Sequence, residues 1–300
     1  MKQLVSVVLL LQIFFLQAQN FENSWTGYFS YVSVKSISQG NDKIYAAAEN
    51  AIFTYDLSTQ EIATISTING LSGKTITTAH YSNVYGLYII GYENGLIEIA
   101  IDGEDNILKV VDILDKPTIP PNNKKINHFN EYNGSLYIST GYGISVYNLD
   151  ALEFGDTYLI GDLGSQINIT QTTVQGVLIY ASSSGNGIKS ALVADDNIID
   201  YQQWTTVVGG GYKGIQSLGS ELYTVNNSNT ILKFDLDVGF LQIDTFLSPI
   251  VDFGVASEIL TITTESSIYA YTEGYSLLEE VNNLIDFDYK LQSGYTFNNT

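Results

Sequence analysis

From residue 34 onward the chain alternates short apolar runs with breaks of Gly, Asn, Asp and Ser. The runs recur in a fixed order: a short inner run, a Leu/Ile-Tyr-rich run, a break, then a third run that usually closes on an acid. Clear copies are residues 44–56 (IYAAAENAIFTYD), 87–102 (LYIIGYENGLIEIAID), 136–150 (LYISTGYGISVYNLD) and 222–235 (LYTVNNSNTILKFD). Residues 178–193 (LIYASSSGNGIKSALV) and 259–273 (ILTITTESSIYAYTE) are weaker copies. Anchored on Tyr45, Tyr88, Tyr137, Ile179, Tyr223 and Leu260, the copies are 43, 49, 42, 44 and 37 residues apart. A period of roughly 40–50 residues with four short strands per unit marks a β-propeller blade. After residue 20 no stretch shows the i, i+3, i+4, i+7 spacing of a long amphipathic helix.

The expected fold is therefore all-β: a β-propeller with six recognisable four-stranded blades plus a partial seventh. The predicted blades cover about 34–65, 75–113, 126–160, 167–208, 212–246 and 250–281. Residues 116–125 (KPTIPPNNKK) read as a polar connection and 209–211 as a Gly linker. Residues 284–300 read as the first strand and part of the second strand of blade seven. Residues 20–33 could add an outer strand to the last blade. A ring closes to remove its sheet edges, so an incomplete seventh blade implies the N-terminal propeller of a longer protein. Residues 1–19 read as a signal peptide, with Lys2, an apolar run over 4–16 and Ala18 near the cut. That leaves 20–300 as the propeller. The apolar run is short for a membrane span, which needs about 20 residues.

Composition supports strands, with 22 Tyr, 13 Phe and 26 Gly against 4 Pro and 1 Met. There is no Cys, so neither disulfide nor thiol chemistry is available. The net charge is −20, with 12 basic and 32 acidic residues, and every basic residue is Lys. No basic face for nucleic acid can be assembled from such a chain.

Candidate chemistry is sparse. His80 and His128 are expected on the innermost strands of adjacent blades, near the central channel; whether they meet is left open. Two imidazoles with added carboxylates could hold a metal, but no HxxxH-type spacing accompanies them. Asp252, Asp286 and Asp288 are expected on inner strands of the last blades, where they could converge. The run 102–106 (DGEDN) lacks the D-x-[DN]-x-[DN]-G calcium-loop pattern and reads as a turn. There is no GxSxG elbow. Tyr28, Tyr31, Tyr92, Tyr142, Trp25 and Trp204 could serve as sugar platforms or as core. No residue is assigned as catalytic or metal-binding, the ligand-binding residues stay unassigned, and no cofactor is expected.

Residues 44–56, then Gly70-Leu71-Ser72, then 89–97 (IIGYENGLI), resemble the two-component-regulator type of propeller repeat. More narrowly, 25–36 (WTGYFSYVSVKS), 49–56 (ENAIFTYD), 70–73 (GLSG), 91–98 (GYENGLIE), 124–127 (KKIN), 143–148 (GISVYN) and 153–160 (EFGDTYLI) resemble the PorZ-like propeller proteins of the type IX secretion system. The resemblance is collinear over the mature chain. It implies an exported, non-catalytic protein at the cell surface, associated with the outer membrane. It further implies an attachment complex with a sortase-like protease and outer-membrane barrel proteins, which joins cargo to anionic lipopolysaccharide. In that complex the propeller protein would bind the lipopolysaccharide and present it to the sortase. The family pattern has a second propeller and a sorting domain that this sequence does not contain. The alternative is the glycan-sensing propeller of a hybrid two-component regulator, outside the inner membrane.

Overall fold

The computed structural model describes residues 33–104, 106–282, 284 and 290–296. Six separate four-stranded sheets follow one another along the chain, each a meander of antiparallel neighbours. They span 34–65, 76–110, 126–158, 169–208, 212–245 and 250–281, close to the predicted blades. The only helical pieces among the described residues are short 3₁₀ turns between or within blades. None is long and apolar enough to cross a membrane.

The second strand of a blade is buried on both faces, because a neighbouring blade covers each. Leu87–Tyr92 and Ile259–Thr264 are buried at every position, which explains why these runs read as continuous rather than alternating. Outer strands are the opposite: every residue of Ser276–Val281 is exposed. The apolar core is divided into five clusters, each between consecutive blades. The largest lies between blades 2 and 3; the smallest, between blades 4 and 5, holds only Tyr180, Ile188, Tyr212, Ile215 and Leu222 as fully buried members.

The motifs of blades 1 and 2 interlock. Leu71 and Leu96 enter the same core. The Ser72 N–H donates to Glu98 Oε2 (3.2 Å), and the Tyr92 hydroxyl donates to the same oxygen. Glu98 is wholly buried, and Lys109 Nζ lies 3.4 Å from its other oxygen. Burial first, then Glu98, holds the Tyr92 phenol protonated far above the usual range. The two motifs, 26 residues apart at Ser72 and Glu98, thus form one turn-to-strand lock.

The inner strands are Val34–Gly40, Ile76–Ser82, Ile126–Tyr132, Ile169–Gln175, Tyr212–Leu218 and Ile250–Ala256, each seven residues long. Residues 291–296 sit between blades 6 and 1, where the inner strand of a seventh blade belongs. The Leu291 N–H donates to Glu265 O (2.9 Å), Ser293 Oγ and the Gly294 N–H reach Asp252, and Lys35 Nζ donates to Gln292 Oε1 (2.6 Å). Of the partial seventh blade read from sequence, the described residues hold this segment alone, and it carries no regular strand; the rest of 284–300 and the 20–33 segment fall largely outside them.

Candidate functional site

All six inner strands carry a register shift at their second residue: Lys35, Thr77, Asn127, Thr170, Lys213 and Val251. A bulge re-aims the side chain it contains. Here four of the six are aimed at the first carbonyl of the next blade's inner strand. Thr77 Oγ1 donates to Ile126 O (2.7 Å), Asn127 Nδ2 to Ile169 O (2.7 Å), Thr170 Oγ1 to Tyr212 O (3.1 Å) and Lys213 Nζ to Ile250 O (2.9 Å). Residues of matching rank are therefore level, and the inner strands all run the same way along the channel. At blade 6 the position is Val251, which has nothing to donate.

The inner strands enclose a cavity of about 750 Å³. Lys35, Lys125 and Lys213 line it where the strands begin, and His80 and Glu131 line it nearer their ends. Gln171, in the bulge-following position of blade 4, bridges three blades. Its Nε2 donates to Phe253 O of blade 6 (2.8 Å), while its Oε1 accepts from the Ile215 N–H and Gln216 Nε2 of blade 5 (3.0 Å each). The room for it comes from Gly214, where a Cβ would stand 2.5 Å from Gln171 Oε1.

Both histidines lie on inner strands and line the cavity, as expected. They are not at equivalent levels: His80 is the fifth residue of its strand and His128 the third. A one-residue slip in the sequence anchors accounts for one of the two ranks; the other is the spacing itself, His80 lying eight residues before Tyr88 and His128 nine before Tyr137. Tyr45, Tyr137 and Tyr223 face the fifth residues Ser38, Asn130 and Gln216, whereas Tyr88, Ile179 and Leu260 face the sixth residues Tyr81, Val174 and Val255.

His80 Nε2 is 2.9 Å from Glu131 Oε2, and Ser82 Oγ donates to Glu131 Oε1 (3.0 Å). Burial acts to raise the Glu131 carboxyl, but the hydrogen bond and charge of His80, with Ser82, outweigh it and hold the group below its ordinary value. His128 Nδ1 is buried and unpartnered among the described residues. Burial, then the neighbouring His80, pushes His128 down to about 3, so it is neutral at physiological pH. Among the described residues no three His, Asp or Glu gather as a metal site.

Asp252 lines the channel as expected, but Ser293 Oγ (2.6 Å), the Phe253 N–H (2.9 Å) and the Gly294 N–H (3.3 Å) all donate to it. Burial raises its pKa against those donors. Asp286 and Asp288 lie outside the described residues, as do Trp25, Tyr28 and Tyr31. The other candidate sugar platforms are core: Tyr92, Tyr142 and Trp204 are 1, 0 and 5% exposed, and the Trp204 indole donates to Ile198 O (2.9 Å). The run 102–106 joins two strands of blade 2, with the Tyr81 hydroxyl donating to Asp102. The channel lysines and Gln171 were not singled out from sequence. Their only signal is position, in or beside the start of each inner strand.

The model of the "TSS9, PorZ, N-terminal beta-propeller domain" family matches residues 44–205. No curated protein matches the chain. Among solved structures, PorZ of Porphyromonas gingivalis, described as an essential bacterial surface component of the type-IX secretion system, has a TM-score of 0.73 at 16% identity. That match covers 86% of this chain and 34% of PorZ, so the chain spans about a third of that protein. A chain of the mitotic checkpoint complex (TM-score 0.63, 10% identity, 88% of this chain and 81% of that one) is similar in fold. So is Raptor of Chaetomium thermophilum (0.65, 12%, 83% and 25%). At these identities the structural likenesses speak for the propeller fold alone.

Proposed function

The chain belongs to the family of PorZ N-terminal β-propeller domains of the type IX secretion system, and from that membership we propose that it works at the cell surface as a non-catalytic scaffold of that system. In this reading it acts in the attachment complex, beside a sortase-like protease and outer-membrane barrel proteins. It binds an anionic lipopolysaccharide or related glycan and offers it for joining to secreted cargo. The observation that carries the reading is the family match over 44–205, which contains the interlocked motifs at 70–73 and 91–98. The channel supports a binding role. Its volume falls within the range of about 300–1,000 Å³ typical of small-ligand sites, and its lining mixes cations, amides and hydroxyls.

The test is deletion of the gene in a type IX-secreting bacterium, followed through one cargo protein. The expected result is cargo that keeps its sorting domain and is lost from the cell surface, with rescue by the intact gene. Cargo processed and anchored at the wild-type level would overturn the reading.

A further inference from the structure

We infer that the end of the channel where the inner strands begin is a binding site for an anionic, hydroxyl-rich ligand: a carbohydrate bearing phosphate or carboxylate groups. This rests on the glycan-binding part of the proposed function and gives it a location.

The argument starts from a mismatch of charge. The chain carries 32 acidic residues against 12 lysines, and its overall field repels anions. Yet three of those lysines, Lys35, Lys125 and Lys213, line one cavity. They belong to blades 1, 3 and 5 and share one end of the channel, so they surround the opening instead of forming a stripe. Their charges are positioned without being neutralised. Lys35 Nζ is held by the amide oxygen of Gln292 (2.6 Å), and Lys213 Nζ by Asn229 Oδ1 (2.6 Å) and Ile250 O (2.9 Å). All three acceptors are neutral. An ammonium has three N–H donors, so each amine keeps at least one free. Lys125 is exposed beside them.

The carboxylates of the cavity do not cancel this arrangement. Glu131 lies towards the other end, tied to His80 and Ser82; Asp252, held by three neutral donors, is one carboxyl against three lysines, and burial pushes it towards its neutral form. Glu265 lies near Lys213 but pairs with Lys290 (2.7 Å). Holding a half-buried ammonium by neutral acceptors alone leaves its charge uncompensated, a cost that an incoming anion removes. Between the lysines, Thr77, Asn127 and Thr170 spend their hydrogens on neighbouring main-chain and side-chain oxygens, but their own oxygens keep lone pairs on the same level that can accept from sugar hydroxyls.

Calorimetric titration of the full chain tests this, with trimeric oligogalacturonate as anionic probe, maltotriose as neutral probe and the organism's purified anionic lipopolysaccharide as third ligand. Lys35→Gln, Lys125→Gln, Lys213→Gln and the triple variant are compared with wild type. The expected result is binding of oligogalacturonate well above maltotriose, weakened by added salt. Each substitution should weaken it about tenfold, or about 1.4 kcal/mol. Because Lys213 also clasps blade 6, melting is followed in parallel. If K213Q is unstable, K35Q and K125Q alone decide the matter. Equal binding of the two trimers, or undiminished affinity in K35Q and K125Q, overturns the site. If lipopolysaccharide binds wild type and the triple variant equally, the glycan-binding role stands and this location falls. If neither anionic ligand binds wild type, both fall.

Discussion

Replacing Gln171 by Leu should destabilise the ring more than any other single change in the channel. The side chain makes three hydrogen bonds to two other blades, and it does so beside the smallest of the five apolar clusters. Leucine fills similar space but strands two main-chain groups: the Ile215 N–H and the Phe253 carbonyl, in residues 0 and 3% exposed. A buried group left without its partner costs about 1–3 kcal/mol, so the pair costs about 4 kcal/mol. For a chain of this size that is a fall in Tm of about 8–16 °C. Urea unfolding followed by tryptophan fluorescence measures it, with the m-value unchanged if only stability has moved. Gln171→Glu sharpens the test. It keeps the shape but turns a carboxylate oxygen toward the Phe253 carbonyl, so its loss of stability should be greater at neutral pH than near pH 4, where the group takes up a proton. A loss below about 1 kcal/mol in Q171L, or a pH-independent Q171E, would refute the argument that this amide ties blades 4, 5 and 6 together.

The remaining predictions concern blades 2 and 3. Glu98→Leu should cost about 3 kcal/mol, because it strands the buried Tyr92 hydroxyl and the Ser72 N–H, and Lys109→Ala should cost about as much at neutral pH, because it leaves the wholly buried Glu98 carboxylate without its cation; denaturant curves showing a loss below about 1 kcal/mol for Glu98→Leu would sink the lock between the two motifs. His128 sets a pH dependence. Its pKa falls from 6.5 in the unfolded chain to about 3 in the native one, so between these values the unfolded state binds the extra proton and stability drops as pH falls. His128→Gln should remove that slope between pH 6.5 and about 5, above the range where carboxylates titrate; identical wild-type and H128Q stability profiles there would show that the imidazole is not shielded as described.

Much of this fold was legible because blade repeats write themselves in strand length and break residues. All six blades fall close to their predicted bounds, and His80, His128 and Asp252 do line the channel. What stayed hidden has physical causes. The second strands are buried along most of their length, so the apolar pair used as an anchor starts at the first residue in blades 2, 4 and 6 and at the second in blades 1, 3 and 5, and the anchors slip by one position in alternate blades. The inter-blade clasps need only some donor at the bulge, and Thr, Asn and Lys all serve, so no recurring letter marks them. Tyr92 ends a middle strand that is buried on both faces, whereas Tyr142 sits in a bend and Trp204 just before an outer strand, places where local pattern does not announce core. Gln171 is one Gln among several until the channel places it between three blades.

The clasps also have a direction in time. In each, the side chain belongs to the earlier blade and the acceptor to the later one, from Thr77 reaching Ile126 to Lys213 reaching Ile250. A chain that emerges from its N-terminus therefore presents every donor before its acceptor. Blades 2 to 5 thus each carry their latch before the next blade arrives. Assembly by successive capture follows for an emerging chain, and limited proteolysis of nascent chains arrested after successive blades would record it as protection advancing from blade 2 towards blade 6. At Val251 the series has no latch to offer, so whatever seats itself beside blade 6 must be held by its own contacts, as Ser293 and Gly294 are by Asp252.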